Sequence, residues 1–241
     1  LGHTRDGHLY EFELRPWFWM MTYRVNSRIF HNQTILEILT TIFRENGGAT
    51  GNKFSDKTSG TPDRLEYVVQ YRESDWAFCR RLMEEVGINF HVEMTNLRHM
   101  LVLTSDGISF VKVNCGDVKY APTDSAALTN NVPLDSWQPK HQIASFGLRM
   151  TDFNYTAPSF AMEVKAQQQT HLRDVPEHEV YDHPGRFANT LVGSSIARRR
   201  LAGMRSQDQL VKVEAKHSYF SAGSVFDLAE HEVDSAQQGK Y

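Results

Sequence analysis

The stretch EYVVQYRESDWAFCRRLMEEVGINFHVE, residues 66–93, predicts a strand, a short helix and a second strand in direct succession. Together with Leu65, its first part alternates polar with apolar residues, the two-residue period of a half-buried strand, and the apolar set is Leu65, Tyr67, Val69 and Tyr71. Ser74 can accept a hydrogen bond from one of the free N–H groups that open a helix. Asp75 adds a negative charge in the first turn, where the helix dipole favours it.

The helix predicted for residues 75–86 has one apolar stripe, formed by Phe78, Cys79, Leu82 and Val86. Gly87 ends it, because glycine readily adopts the left-handed conformation that a helix terminus often needs. Beyond Gly87 the alternation returns and predicts the second strand, with Ile88, Phe90 and Val92 on one side. The place of Cys79 on the stripe favours a small buried hydrophobe over a reactive thiol.

Composition excludes several classes of protein. The chain has 241 residues, enough for one large domain or two small ones. Charged residues make up 23% and the formal net charge is -3, so the basic excess typical of nucleic-acid binders is absent. Two cysteines do not indicate a disulfide framework, which suits a reducing compartment. No apolar run approaches the ~20 residues of a membrane helix, and no secretory signal opens the sequence.

The first residues predict a strand followed by an aromatic cluster. Residues 9–14 alternate like a strand, and Pro16 favours an edge or a bend after it. The cluster at residues 17–19, with two tryptophans and a phenylalanine, is predicted to lie in the core or in a subunit interface. The strand-like start and the turn-like residues 239–241 together predict a fragment of a longer protein.

Residues 34–46 form the clearest helix, because Thr34 and Glu37 have the spacing of a capping box and one apolar face follows. Residues 49–63 are polar and glycine-containing and predict a loop. After the central stretch, short strands are predicted near residues 99–104 and 111–113.

The second half of the chain predicts strands around one more helix. Residues 120–140 contain three prolines and show no periodicity, so they are expected to connect two subdomains, residues 1–120 and 141–241. Beyond this connection at 121–140, the patterns predict strands near 143–151, 210–216 and 224–230, a polar loop at 171–187 and a helix at 189–206.

Candidate chemistry is weak throughout the sequence. The densest set of metal-ligand types is His171, His178, Glu179, Asp182 and His183, but the last two histidines are five residues apart rather than the four of a zinc-protease helix. No nucleophile elbow, phosphate loop or dinucleotide fingerprint occurs. The basic runs at residues 80–81 and 198–200 predict solvated or subunit-facing helix surfaces. The sequence therefore predicts no catalytic residue, no metal ligand and no cofactor.

Several stretches resemble the VgrG family, the trimeric spike of bacterial type VI secretion, and the related hubs of contractile phage tails. The most specific is VVQYRESDWAFCRRLMEEVGINF, and the others, in chain order, are RPWFWMM, SRIFHNQTILEIL, DFNYTAPSF, VYDHPGRF and AGSVFDLAEH. His183 and Phe187 stand where the family more usually has tyrosine. The positions that match family motifs are Arg15, Pro16, Trp17, Tyr71, Arg72, Glu73, Asp75, Gly87, Tyr181, Asp182, Pro184 and Gly185.

This resemblance implies a fold and a role. The implied fold is α+β and mainly β, with barrel-like subdomains decorated by short helices, the first barrel being incomplete and the OB-fold and β-helical needle absent. The implied role is a structural, non-enzymatic hub that links the Hcp tube to the puncturing needle. The implied partners are two further copies of the chain, Hcp, and a tip protein or effectors. Such a protein resides in the bacterial cytoplasm before it is exported without a signal peptide.

Other readings stay open from the sequence. A hub of a phage or prophage tail shares the same region. A metal-dependent hydrolase around His178 and His183 would bind zinc or show turnover. A carbohydrate-binding module would expose Trp17 and Trp19.

Overall fold

Short strands dominate the fold, and three helices accompany them in the described part of the chain. The computed structural model describes residues 2–4, 7–48, 52–60, 63–95, 98–107, 110–120, 131–168 and 178–241. The α-helices are α1 (Ile35–Glu45), α2 (Asp75–Val86) and α3 (Thr190–Met204), with 3₁₀ helices at Trp17–Thr22 and Ser235–Gln237. The strands are β1 (Gly2–Thr4), β2 (Gly7–Leu9), β3 (Val25–Gln33), β4 (Phe54–Lys57), β5 (Leu65–Ser74), β6 (Asn89–Thr95), β7 (Arg98–Thr104), β8 (Val111–Lys112), β9 (Asp117–Tyr120), β10 (Asn131–Leu134), β11 (Ser136–His141), β12 (Gly147–Asp152), β13 (Met162–Gln167), β14 (Glu179–Asp182), β15 (Gln209–Glu214), β16 (Ser224–Val225), β17 (Asp227–His231) and β18 (Gly239–Lys240).

The strands form several small sheets rather than one large one. Strands β3 and β5 make an antiparallel ribbon, and β6 and β4 flank β7, antiparallel and parallel to it respectively. Strand β12 lies between β13 and β14, and the order β10-β9-β17-β18 makes a four-stranded sheet. Three further pairs are β11 with β15, β8 with β16, and β1 with β2.

The described residues form three apolar core clusters. The first joins α1 and α2 to the ribbon and to β7, with Ile38, Phe43 and Phe78 fully buried. The second lies between α3 and the sheet of β12 and β13, and the third lies among β9, β10, β11 and β17 around Trp137. None of the helices in the described part of the chain has the length and apolarity that a membrane crossing requires.

All three predicted helices are confirmed to within two residues at each end. Helix α2 spans residues 75–86 as predicted, with Ser74 accepting from the backbone N–H of Ala77 at 3.1 Å. Helix α1 begins at the predicted capping box, in which Thr34 and Glu37 each bond to the other's backbone N–H. The backbone N–H of Thr34 holds the pKa of the Glu37 carboxyl below its usual range. These helix ends follow from local residues alone.

Other elements differ from the prediction. Residues 10–16 are not a strand, and Tyr10, Phe12 and Leu14 are exposed, because no described strand offers these residues a ladder of hydrogen bonds. The aromatic residues after them form the 3₁₀ helix Trp17–Thr22. Three segments predicted as loop or connection contain strands: β4 in 49–63, β10 and β11 in 131–141, and β14 in 171–187. Strands β4, β11 and β14 pair with strands distant in sequence, and β10 pairs in parallel with β9, the strand before it; local patterns reveal none of these pairings.

The division into residues 1–120 and 141–241 stays a prediction. Residues 121–130 of the proposed connection lie outside the described residues, whereas β10 and β11 occupy most of the rest. Strand β9, from the first side, pairs with both β10 and β17.

The two cysteines should differ sharply in reactivity. Cys79 is fully buried, and burial raises the pKa of its thiol, whereas Cys115 is partly accessible. Because the thiolate is the reactive form, we expect alkylation of the native chain to modify Cys115 more than about 100-fold faster than Cys79. Intact mass after iodoacetamide treatment, with and without urea, measures this. In the Cys115→Ser variant the native chain should take up no label, and rapid native labelling of that variant would contradict the prediction.

Candidate interaction surface

A buried carboxylate, Asp75, is the centre of a polar network at the start of α2. It is fully buried, and it accepts hydrogen bonds from Gln70 Nε2 at 2.8 Å, Asn46 Nδ2 at 3.0 Å and Arg28 Nη2 at 3.2 Å. Arg24 Nε lies 3.4 Å from its second oxygen. The network therefore ties the ribbon strands to the end of α1 and to the first turn of α2.

The opposing charges of this network are balanced. Arg24 and Arg28 both also contact Glu45 Oε2, at 2.9 Å and 2.6 Å, so two guanidinium groups face two carboxylates. Gln70 and Arg28 occupy paired positions on β5 and β3, and Arg28 Nε donates to Gln70 Oε1 at 2.8 Å. A buried charge is tolerated only when it is paired and hydrogen-bonded in this way.

A β-bulge places the motif residues Tyr71, Arg72 and Glu73. Tyr71 pairs with Ser27 and Glu73 pairs with Asn26, so Arg72 is the extra residue, and its φ is +50°. Its N–H donates to the Ser27 hydroxyl at 3.2 Å. A bulge re-aims the side chains that follow it.

Beyond the bulge, Glu73 binds Arg81 of α2. The Nη2 atom of Arg81 lies 2.6 Å from Glu73 Oε1, and it also donates to the carbonyl oxygen of Val69 at 3.0 Å. The hydrogen bond that Arg81 donates to Glu73 raises the pKa of the Arg81 guanidinium. Arg81 thus links α2 to the edge of β5 through these hydrogen bonds.

The ribbon turns an apolar face outward. We call this the ribbon face; its apolar residues and their exposed fractions are Val25 (63%), Ile29 (56%), Tyr67 (65%), Val69 (39%) and Tyr71 (65%). Phe30, Val68 and Gln70 point inward and are buried. The predicted strand is confirmed, but Tyr67, Val69 and Tyr71 of its apolar set lie on the exposed side, and only Leu65 packs against the first apolar cluster. Val68 and Gln70 lie on the buried side instead, because Gln70 is a member of the polar network around Asp75.

The motif residues near the start of the chain have structural contacts. Pro16 precedes the 3₁₀ helix, and the Trp17 backbone N–H donates to His99 Nε2 at 2.9 Å. The Trp17 indole N–H donates to the Lys53 carbonyl at 3.1 Å, and the Arg15 guanidinium lies over the Trp19 ring at 5.5 Å. Trp17 and Trp19 are half-buried, so neither offers the open platform that the carbohydrate-module reading requires.

The motif residues of the second half secure β14 against its neighbours. The hydroxyl of Tyr181 lies 2.8 Å from Thr151 Oγ1, and Asp182 Oδ2 lies 2.6 Å from Arg200 of α3. The His183–Pro184 peptide bond is cis, and the Gly185 N–H donates to the Thr151 carbonyl at 2.9 Å.

Gly87 brings the two halves of the chain together. It ends α2 at φ +70°, and a Cβ built on it would lie 2.4 Å from Cβ of Arg199 on α3. Next to this contact, Glu85 of α2 accepts from Arg186 at 3.1 Å and 3.2 Å. An apolar cleft of about 270 Å³ opens beside the junction, between α1, α2 and α3.

The described candidate metal ligands do not lie together as a metal site. No group of three or more possible ligands occurs among the described residues, and His171 lies outside them. Glu179 and Asp182 pair with Arg149 and Arg200 instead, at 3.0 Å and 2.6 Å. The side chains of the motif residues therefore take part in packing and ion pairs. The ribbon face, which no motif singled out as a surface, is the clearest candidate for interaction.

The chain is similar to phage tail hub and type VI spike proteins. The model of the family described as "Phage tail baseplate hub (GPD)" matches residues 1–241. Type VI secretion system spike proteins VgrG1b and VgrG1a of Pseudomonas aeruginosa are 29% and 30% identical over 91% and 93% of this chain. An "Actin cross-linking toxin VgrG1" of Vibrio cholerae is 28% identical over 96% of it. The chain spans 29% and 34% of the two spike proteins and 20% of the toxin.

Two solved structures share the fold. An E. coli component of the type VI secretion system, described as similar to the T4 tail proteins gp27 and gp5, superposes with a TM-score of 0.59 at 16% identity, covering 91% of this chain and 44% of its own. A 43 kDa tail protein of prophage MuSo2 from Shewanella oneidensis gives 0.56 at 8% identity, covering 91% and 62%.

Proposed function

Because the chain belongs to the phage tail baseplate hub (GPD) family, we propose that it is the hub segment of a type VI secretion spike. The family match over residues 1–241 carries the proposal, and it confirms the family resemblance predicted from the sequence. The α+β, mainly β fold of the hub type is likewise confirmed. The spike proteins of Pseudomonas aeruginosa favour the type VI setting over a phage tail.

The proposed role is structural. Three copies form a platform that joins the Hcp tube on one side to the needle, tip protein or effectors on the other. The protein is held in the bacterial cytoplasm and then exported through the type VI apparatus. The engagement of Asp75, Asp182 and Glu85 in ion pairs supports a scaffold rather than a hydrolase. A toxin relative carries the same kind of segment in a much longer chain, so we assign any enzymatic activity to other segments.

Self-assembly is the first expected property of such a hub. We expect native mass spectrometry of the chain to show a species of three times 27.7 kDa, whose share increases with protein concentration. Negative-stain images should show three-fold rings. A strict monomer over about a hundredfold range of concentration would contradict assembly through this segment.

The alternative hub of a phage tail makes a different binding prediction. A type VI hub should retain purified Hcp rings on a column that carries the immobilised chain, and a tail hub should instead retain a phage tube protein. The two tube proteins, tested at equal concentration, separate these settings.

A further inference from the structure

We infer that the ribbon face of one copy binds the aromatic loop of the next copy, where the aromatic loop is residues 153–161. This inference rests on the proposed self-assembly and adds the two surfaces that would meet. Both surfaces are exposed, apolar and free of Asp, Glu, Lys and Arg.

The ribbon face lacks the protection that exposed sheets normally have. Its outward cross-strand pairs are Ser27–Tyr71, Ile29–Val69 and His31–Tyr67. Natural proteins place charges on exposed ribbons to prevent unwanted pairing. Here none of the three outward pairs contains Asp, Glu, Lys or Arg, and Arg72 places its guanidinium 5.5 Å from the centre of the Tyr71 ring. Depletion of charge at an aromatic surface is typical of the centre of a protein interface.

The ribbon is also held in one conformation before any partner arrives. The Asp75 network binds its inner side, and Arg81 binds the edge of β5. A surface fixed in this way loses little conformational freedom on binding, which favours affinity.

The aromatic loop is the second exposed apolar surface. Phe153, Tyr155 and Phe160 are 64%, 70% and 59% exposed. The Asn154 side chain accepts from the backbone N–H of Thr156 at 2.9 Å, and the Phe160 N–H donates to the Ala157 carbonyl at 3.0 Å. The loop is therefore structured by its own hydrogen bonds, with Phe153 and Phe160 projecting from it.

One contact also positions the loop relative to the ribbon of its own copy. The Tyr155 hydroxyl donates to Glu66 Oε1 at 2.9 Å, and this bond raises the pKa of Tyr155. Glu66 lies at the start of β5 on the side away from the ribbon face, since it alternates with Tyr67. The loop therefore contacts the ribbon on the side opposite to the ribbon face.

Two different surfaces per copy suit a ring. A closed cyclic trimer requires a heterologous contact, in which one patch of each copy meets another patch of the next. The exposed part of the ribbon face is on the order of 400 Å², about half of what one partner contributes to a standard interface. It would form the apolar centre of such a contact, with polar surroundings as the rim.

The test uses two variants that each lose one surface. The ribbon variant carries Ile29→Lys with Val69→Glu, an opposite-charge pair across the strands that leaves the net charge unchanged. The loop variant carries Phe153→Ser with Phe160→Ser. The matched control carries Leu191→Ser with Val233→Ser, which removes apolar side chains 85% and 74% exposed outside both surfaces. Circular dichroism and urea unfolding establish that all variants fold.

We expect the control to assemble like the parent chain and each single-surface variant to raise the dissociation constant at least about 100-fold. Mixing the ribbon variant with the loop variant should then give a one-to-one heterodimer, because one intact ribbon face meets one intact loop. Light scattering measures each mass. A mixture that stays monomeric, or a ribbon variant that still forms trimers, would overturn the inference while leaving self-assembly intact. A monomeric parent chain would instead refute the proposed self-assembly itself.

Discussion

Replacement of Asp75 by alanine is expected to lower the free energy of unfolding by about 3–5 kcal/mol. The side chain is fully buried and faces donors on Arg24, Arg28, Asn46 and Gln70. Without the carboxylate the buried Gln70 amide and the largely buried Arg28 guanidinium lose an acceptor that they share, and the remaining Glu45 cannot balance two guanidinium groups. Urea unfolding followed by tryptophan fluorescence measures the change, because Trp17 and Trp76 pack on the first apolar cluster.

Two further variants distinguish the loss of the Asp75 network from the loss of any negative charge on α2. Glu84→Ala removes a carboxylate whose side chain is 71% exposed and pairs only with Arg80 among the described contacts, so it should cost less than about 1 kcal/mol. Arg28→Ala should cost markedly less in the Asp75→Ala background than in the parent chain, since its main buried partner is already gone. Equal costs in the two backgrounds would show that the network is not energetically coupled.

The elements that sequence predicted well are those determined by neighbouring residues. Ser74, Asp75 and Gly87 mark both ends of α2 because capping acts within one turn. The capping box at Thr34 does the same for α1. These signals survive because no distant segment has to be known in order to interpret them.

The sequence predictions fail where the structure of a segment depends on a partner distant in sequence. Phe54 is 1% exposed because β4 pairs with β7 and its ring packs against Phe43 of α1, and nothing near Phe54 in sequence indicates either contact. The sequence likewise does not show that the Tyr67 side chain faces solvent. Alternation establishes that a strand has two faces but not which of them packs against the core. The side of β5 that is buried is determined by Gln70 and the Asp75 network. The members of this network come from four elements and the connecting residues between them.

Gly87→Ala should be the most damaging substitution after Asp75→Ala, lowering the free energy of unfolding by about 3 kcal/mol. Two effects contribute. An alanine at φ +70° costs about 1–2 kcal/mol because its Cβ crowds the following carbonyl oxygen. In addition, that Cβ would lie 2.4 Å from Cβ of Arg199 and 3.3 Å from its carbonyl carbon, so α3 must move away from α2. Urea unfolding measures the sum.

Gly47→Ala separates the two effects, because Gly47 follows α1 at φ +79° with only the Lys53 ammonium group within 3.8 Å. It should show the backbone cost alone, about 1–2 kcal/mol. Arg199→Gly should partly rescue Gly87→Ala, since removal of the opposing Cβ relieves the collision even though glycine within α3 costs about 1 kcal/mol by itself. If Gly47→Ala and Gly87→Ala cost the same, and Arg199→Gly rescues nothing, then α2 and α3 do not press on each other at this point. In that case the junction between the halves would depend on the Glu85–Arg186 pair and the apolar contacts of Val86.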